Sequence, residues 1–386
     1  LRSPRALAHV AWRPGELGIA RAWVSGEIDV DGDIEDLLRL RTRFEGLHLG
    51  PGELALLVRT ARRLGALRGG RPPIPAAEFR KDGRLHSLRR DRVAIRHHYD
   101  VSNAFYRLVL GPTMVYSCAY FADPGESVDV AQERKLELIC RKLRLAEGER
   151  FLDVGCGWGS LVIHAAREHG VRAVGVTISE AQAELARERV REEGLSDRVE
   201  IRLADYREVA DGPYDKIASV GMYEHVGRDK LGEYFARVRS LLRPGGLFLN
   251  HGISRVAPHV RRRPWASDAT FLSRYVFPDG ELSLLGTVVE AAERAGFETR
   301  DDESLREHYA LTLRAWVRNL AAGRERAIEL AGADRERVWR LYMTGAALAF
   351  EAGEIGVHQT LFANPGGPHG LPLVRTGLMP HASASR

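Results

Sequence analysis

The chain reads as an α/β protein: a Rossmann-like sheet with helices on both faces, preceded by a small, mainly helical N-terminal domain. Two observations lead to this. Five short runs rich in β-branched and apolar residues, FLDV (151–154), RAVGV (172–176), VEIRL (199–203), KIASV (216–220) and LFLN (247–250), alternate with helical stretches such as SEAQAELARERVREEG and YFARVRSLLRPGG. Alternation of this kind builds right-handed β–α–β units on a parallel sheet. The character also changes along the chain, and 386 residues suit one large domain plus a smaller one.

Residues 1–70 carry no glycine-rich nucleotide loop. GEIDVDGDIEDLLRLR opens as an acidic, turn-rich piece and continues as a short helix. In GELALLVRTARRLGALRGG, Leu54, Leu57, Ala61, Leu64 and Leu67 recur at helical spacing, with Arg59, Arg62, Arg63 and Arg68 elsewhere on the turn. A basic amphipathic helix over 54–68 either packs with a solvated face or lies on a lipid surface, and residues 1–70 are expected to dock to lipid. The Gly-, Pro- and charge-rich stretch 71–92 reads as a linker, 93–362 as the main domain and 363–386 as a disordered tail.

Composition bounds the function classes. No stretch approaches about 18 consecutive apolar residues, so no membrane span is expected, and the first residues lack the apolar run of a secretory signal. Cys118, Cys140 and Cys156 have no metal-ligand spacing, so a reduced, cytoplasmic setting without disulfides or a metal site is expected. Only five of the 57 cationic residues are lysine (Lys81, Lys135, Lys142, Lys216 and Lys230), and the net charge is +5. An arginine-rich basic surface is compatible with anionic lipid or nucleic acid, and a GC-rich genome gives the same composition.

The first strand runs into Asp153-Val154-Gly155-Cys156-Gly157-Trp158-Gly159-Ser160, followed by a helix. Glycines at such a turn let a ligand approach the backbone. A dinucleotide site is the competitor, and three features oppose it. The last fingerprint position of G-x-G-x-x-G is Ser160, Asp153 would repel a pyrophosphate, and no acidic residue closes the second strand at Thr177. S-adenosylmethionine has no phosphate, and Asp153 suits its ammonium through water or backbone. Asp205 and Tyr206, after the third strand, suit the adenine amino group and ring. Thr177 and Gln182 are left to cover the ribose.

Seven strings then occur in order: Tyr116-Ser117-Cys118-Ala119-Tyr120-Phe121; the glycine loop; Gly175-Val176-Thr177-Ile178-Ser179; Ser219-Val220-Gly221-Met222-Tyr223-Glu224-His225-Val226-Gly227; His251-Gly252-Ile253; Tyr275-Val276-Phe277-Pro278-Asp279-Gly280; and His308-Tyr309-Ala310-Leu311-Thr312-Leu313. From about His97 to Phe362 the set resembles the cyclopropane-fatty-acyl-phospholipid synthase family, which includes the mycolic-acid cyclopropane synthases. The resemblance implies a C-methyltransferase that methylates the cis double bond of an unsaturated phospholipid acyl chain to a carbocation and closes it to a cyclopropane ring, with S-adenosylmethionine as methyl donor and a bound bicarbonate ion as base. It assigns the bicarbonate to Glu224, His251 and Tyr309 with backbone groups of Cys118 and Ile253, and places Tyr116 and Ser117 beside the cofactor. Tyr120, Phe121, Tyr223, Tyr275 and Phe277, with Tyr116, become candidates for the acyl tunnel. A cysteine proposed as nucleophile in some members is Ala346 here, which excludes a covalent route through that position.

His97, His98, His225 and His308 receive no chemical role. Docking to the membrane from its inner face is expected through the 54–68 helix and the loop Arg261-Arg262-Arg263-Pro264-Trp265. A homodimer is plausible by resemblance, and no nucleic acid partner is expected. Two alternatives stay open: a methylene- or methyl-branched product from the same carbocation, and a non-catalytic membrane or nucleic-acid binding protein.

Overall fold

The computed structural model describes residues 1–40, 50–79, 102–256 and 270–375. His97, His98, the 261–265 loop, linker residues 80–92 and the tail from 376 lie outside the described residues. Seven strands form one sheet in the order β3-β2-β1-β4-β5-β7-β6. They are β1 (Arg150–Val154), β2 (Arg172–Thr177), β3 (Val199–Leu203), β4 (Tyr214–Val220), β5 (Leu242–Arg255), β6 (Glu298–Ser304) and β7 (Ile355–Ala363). The five expected strands are β1–β5, and they run parallel.

The sheet is mixed rather than wholly parallel, because β7 pairs antiparallel with both β5 and β6. Neither of those two strands was expected. The sequence of β6, ETRDDES, carries four acidic residues and one arginine on a half-exposed edge, so no apolar alternation marks it. The run of β7 is almost continuously buried and follows a long helix without a strand-type pattern.

Fourteen helices of the described residues follow in chain order: α1 (Arg5–Trp12), α2 (Glu16–Val24), α3 (Ile34–Leu40), α4 (Pro51–Arg63), α5 (Asn103–Leu110), α6 (Val128–Leu143), α7 (Ser160–His169), α8 (Glu180–Glu192), α9 (Leu231–Leu241), α10 (Phe271–Tyr275), α11 (Leu285–Arg294), α12 (Arg306–Ala322), α13 (Arg324–Ala331) and α14 (Ala333–Glu351). Serine side chains cap α5, α6 and α8 by accepting from backbone N–H groups one turn on. One sheet face packs Leu136, Ile139 and Leu143 of α6 with Val162 and Ala165 of α7. The other packs Tyr234, Phe235 and Val238 of α9 against Phe248, Phe297 and Phe362. A third core, rich in Trp158, Trp316, Trp339, Phe105 and Tyr106, lies among α5, α12 and α14, and Trp23 of α2 belongs to it.

β1 lies between β2 and β4, so chain order reverses there. At such a reversal the loops leaving the carboxyl ends of the strands diverge and open a crevice.

The N-terminal helices are not a separate appendage. Arg21 makes a bidentate pair with Glu78, both bonds 2.7 Å, and Tyr275 donates to the same carboxylate at 3.0 Å. Trp23 Nε1 donates to Arg337 O at 3.0 Å, and the Arg337 guanidinium lies 4.2 Å from the Trp23 ring centroid. Within the stretch read as a linker, Ala77, Glu78 and Phe79 are buried. The helix read over 54–68 spans Pro51–Arg63, with Ala61 buried beside Ala8 and Ala66 and with Leu64 turned outward.

Disorder from 363 is corrected for the described part of the tail. Asn364 is buried and donates to Leu242 O at 2.7 Å, while Arg375 pairs with Asp301 at 2.8 Å.

The Arg21–Glu78 pair is removed from water at both ends, so breaking it leaves a buried charge unpaired, at a cost of about 3–5 kcal/mol. Glu78→Ala is therefore expected to lower the thermal midpoint and expose the 1–79 region to limited proteolysis before the sheet domain; a wild-type digestion pattern would refute this.

Candidate functional site

Two adjoining cavities occupy the crevice. The first, about 440 Å³, is lined by Tyr116, Ser117, Lys135, Asp153, Gly155, Gly157, Thr177, Gln182, Asp205 and Tyr206 among others. Nine of the ten residues assigned to the cofactor therefore line one space. The exception is Gly159. It begins α7 with φ +83°, and a Cβ there would stand 3.2 Å from that of Ala186, so this glycine serves close packing against α8 instead.

Asp153 is buried, its Oδ1 has no protein partner, and burial pushes its carboxyl up to about 7 against the opposing influence of Lys135. Lys135 is buried beneath the same cavity, and its Nζ donates to Ser117 Oγ at 2.9 Å. An open carboxylate oxygen of this kind suits an ammonium group. Thr177 Oγ1 donates to Gln182 Oε1 at 2.8 Å, so the two residues left to the ribose act as a pair. The Asp205 carboxylate takes two bonds of 2.7 Å from Arg207 and caps the turn that carries Tyr206. An adenine amino group would meet it only through its remaining lone pairs.

The second cavity, about 670 Å³, is mostly apolar and shares Tyr116, Ser117, Gly221 and His225 with the first. Glu224, His251, Ile253 and Tyr309 line it. Glu224 sits in a 3₁₀ turn, Tyr223–His225, just beyond β4. Its Oε1 accepts the Ile253 N–H at 2.7 Å, while Oε2 is buried without a protein partner. Burial pushes this carboxyl up to about 7.

His251 pairs with Val220 across β4 and β5, and its Nε2 is likewise buried and open. Its protonation is set from behind. Lys142 Nζ donates to Gln359 Oε1 at 2.9 Å and pairs with Glu303 at 2.5 Å. A lysine donates and does not accept here, so the Gln359 amide presents its NH₂ to His251 Nδ1, 3.2 Å away. Nδ1 then accepts, and the ring proton sits on Nε2, facing the cavity. Burial, with Lys135 and Lys142 nearby, holds His251 well below its ordinary pKa and thus neutral.

Two assigned residues stand differently from expectation. Cys118 is fully buried, its thiol faces Ala119 O and Leu305 O, and it lines neither cavity. The Ile253 N–H is committed to Glu224 and its carbonyl accepts from Tyr223 O–H at 2.6 Å, so Ile253 orients those two side chains. Gly252 makes room for this: a Cβ there would fall 2.0 Å from the Tyr223 ring.

Of the six aromatic tunnel candidates, Tyr116 and Phe277 line the apolar cavity. Tyr120 donates to Glu303, Phe121 packs beside Ala119 and Ala131, Tyr223 holds Ile253 and Tyr275 holds Glu78. Ala346 does line the cavity. His308 Nδ1 accepts from Phe121 N, whereas His225 lines both spaces. Sequence reasoning missed Tyr342, Gln359, and Ile19, Trp23, Ile34 and Leu37 of α2 and α3, which form one wall. The available signal for Gln359 was a lone amide within the apolar run of β7.

The raised Glu224 carboxyl has a stability consequence. Between its ordinary value of 4.5 and about 7, the folded state keeps a proton that the unfolded chain releases, so stability falls as pH rises through this window and stays lower above it. Glu224→Gln, which removes that charge, is expected to raise the thermal midpoint relative to wild type at pH 8, with the gap closing towards pH 4.5. A gap independent of pH would contradict the assignment.

Residues 86–360 match the family model described as mycolic acid cyclopropane synthetase. A probable fatty acid methyltransferase of Mycobacterium tuberculosis is 42% identical, covering 97% of this chain and 88% of its own length. The cyclopropane-fatty-acyl-phospholipid synthase of Escherichia coli K12 is 37% identical over 75% of this chain and 72% of its own. Among solved structures, mycolic acid cyclopropane synthase CmaA1 complexed with SAH and CTAB superposes with a TM-score of 0.67 at 34% identity, covering 70% of this chain and 98% of that one. The chain thus belongs to the mycolic acid cyclopropane synthetase family and is an S-adenosylmethionine-dependent methyltransferase that modifies lipid acyl chains.

Proposed function

We propose that the protein transfers the methyl carbon of S-adenosylmethionine to the cis double bond of an unsaturated phospholipid acyl chain and closes a cyclopropane ring, with bicarbonate as base. The observation that carries this reading is the meeting of the glycine-loop cavity, into which Asp153 and Lys135 face, with a more apolar one at Tyr116, Ser117, Gly221 and His225. A sulfonium in the first space faces an alkene in the second. An isolated alkene is a weak nucleophile, so holding the two in line supplies much of the rate. The S–CH₃ bond breaks as a C–C bond forms, leaving a cation on the other alkene carbon. Tyr116, Phe277 and Tyr342 line the cavity where that cation forms, and aromatic rings stabilise a cation near them. The new methyl group then loses a proton, and its electron pair closes the ring.

Bicarbonate held in this cavity supplies the base for that proton. Its fit rests on the two buried polar atoms left open, Glu224 Oε2 and His251 Nε2. Glu224 would accept its O–H, and His251 Nε2–H and the Tyr309 hydroxyl would donate to its oxygens. Main-chain groups of Cys118 and Ile253 take no part in this version. Bilayer access is assigned to α4 and the residue that ends it, where Leu56 and Leu64 are exposed beside Arg59, Arg62 and Arg63.

One observation favours a branched product as second reading: the relative similar over 97% of the chain is called a fatty acid methyltransferase. Incubation with labelled S-adenosylmethionine and oleoyl-phospholipid vesicles, followed by gas chromatography and mass spectrometry, separates the two. A gain of one CH₂ at the cyclopropane retention time is expected. The same gain as a methylene branch moves the product to the second reading, and no gain with cofactor bound and bicarbonate present refutes the substrate.

The relay behind His251 is tested by Gln359→Leu. Loss of the bond that fixes the tautomer is expected to lower kcat about tenfold to a hundredfold and weaken the response to bicarbonate, with cofactor affinity unchanged by calorimetry. Unchanged turnover would remove the relay from the mechanism.

A further inference from the structure

The outer side of the α6–α7 pair carries a cluster that neither cavity uses. Glu137 and Cys140 lie one turn apart on α6, and His164 and His169 lie on the last two turns of α7. The two imidazoles converge on one atom: His164 Nε2 is 3.2 Å and His169 Nε2 2.9 Å from Glu137 Oε2. The other carboxylate oxygen is held by Arg141 at 2.6 Å. Donor atoms of Cys140, His164 and His169 all lie within 4.8 Å of one another, the only such group of three or more found among the described residues. Cys140 is fully buried and His164 is 8% exposed, while His169 and Glu137 reach the surface.

These are donor types that a tetrahedral metal centre uses. An ion bound at about 2.0–2.1 Å by nitrogen and oxygen, and about 2.3 Å by sulfur, sets its ligand atoms roughly 3.3–3.7 Å apart. The two O···N separations are already close to that edge, but Glu137 stands outside the group of three whose atoms all lie within 4.8 Å, so binding requires the carboxylate and the Cys140 thiol to approach one another. One thiolate, two imidazoles and one carboxylate form a mixed set that suits zinc over magnesium or calcium. An ion pair alone accounts for Glu137 with Arg141 and one histidine. It gives no reason for a second imidazole on the same oxygen, nor for a thiol behind both.

We propose that Glu137, Cys140, His164 and His169 bind a zinc ion that clamps α6 to α7. The ion takes Cys140 as thiolate and releases its proton to solvent. Both helices border the cofactor cavity. The face of α6 carries Lys135, and α7 follows directly on the glycine loop. The clamp is structural, remote from the apolar cavity, and independent of the lipid reading. It also departs from the expectation of no metal site, because the donors fall in two short pairs that only helix packing brings together.

The test uses the full chain, stripped with a chelator and reloaded with zinc or cobalt. About one zinc per chain is expected after gel filtration, with a thermal midpoint several degrees above the stripped protein. Cobalt is expected to show a thiolate charge-transfer band that Cys140→Ser abolishes. Where that buried substitution impairs folding, His169→Gln at the surface serves instead, losing zinc retention and the midpoint shift while the stripped protein unfolds as wild type. No retained metal, a cobalt spectrum without the thiolate band, or retention unchanged in His169→Gln would each overturn the site.

Discussion

The crevice is organised around a carboxylate that is out of water with only one of its oxygens bonded. Leaving such a group open in a folded interior is costly, and proteins rarely do it without a ligand to receive. At Glu224 the arrangement is enforced by geometry. The turn after β4 carries the side chain inward, the Ile253 N–H of the neighbouring strand seizes one oxygen, and Tyr223 is locked over Gly252 by its bond to Ile253 O. β4 and β5 must therefore be in register for the site to exist, and β7 must hold β5 from the other side for Gln359 to reach His251. Chemistry and sheet topology depend on the same few main-chain bonds.

Much of this was legible from the order of residues. The strand-to-glycine turn marks the cofactor space because a turn that tight admits few side chains, and KIASVGM announces a buried strand ending near Glu224. What escaped notice has physical reasons. β6 hides behind charge because an edge strand needs pairing from its backbone and little burial from its side chains. Gly159 looks like its neighbours in sequence, yet it answers to helix packing. Cys118 and four of six aromatic candidates belong to the walls behind the cavities, a distinction of a few ångströms that no local pattern encodes.

The lysines were the overlooked signal. The chain uses arginine for nearly every cationic position and keeps only five lysines. Three of the four described, Lys135, Lys142 and Lys216, are buried. A compact ammonium on a thin stem fits beneath a sheet where a planar guanidinium does not, and it donates in several directions at once. Lys135 and Lys142, two turns apart on one face of α6, accordingly point at Ser117 and Gln359, one beneath each cavity. Where one cation dominates a composition, the exceptions mark places where shape matters more than charge.

The wall contributed by α2 and α3 has an energetic corollary. These helices are anchored to the rest of the molecule by Glu35–Arg314, by Arg21–Glu78–Tyr275 and by the Trp23–Arg337 contacts, and between those anchors they face the apolar cavity. On the proposed reading, an acyl chain lodged there would touch both parts and add its own buried surface to the joint. By reciprocity, whatever tightens the joint raises the affinity for lipid, and bound lipid tightens the joint by the same free energy. Release of the modified chain must repay that shared term, so a weaker seam at the N-terminal helices trades hold on the substrate for speed of turnover.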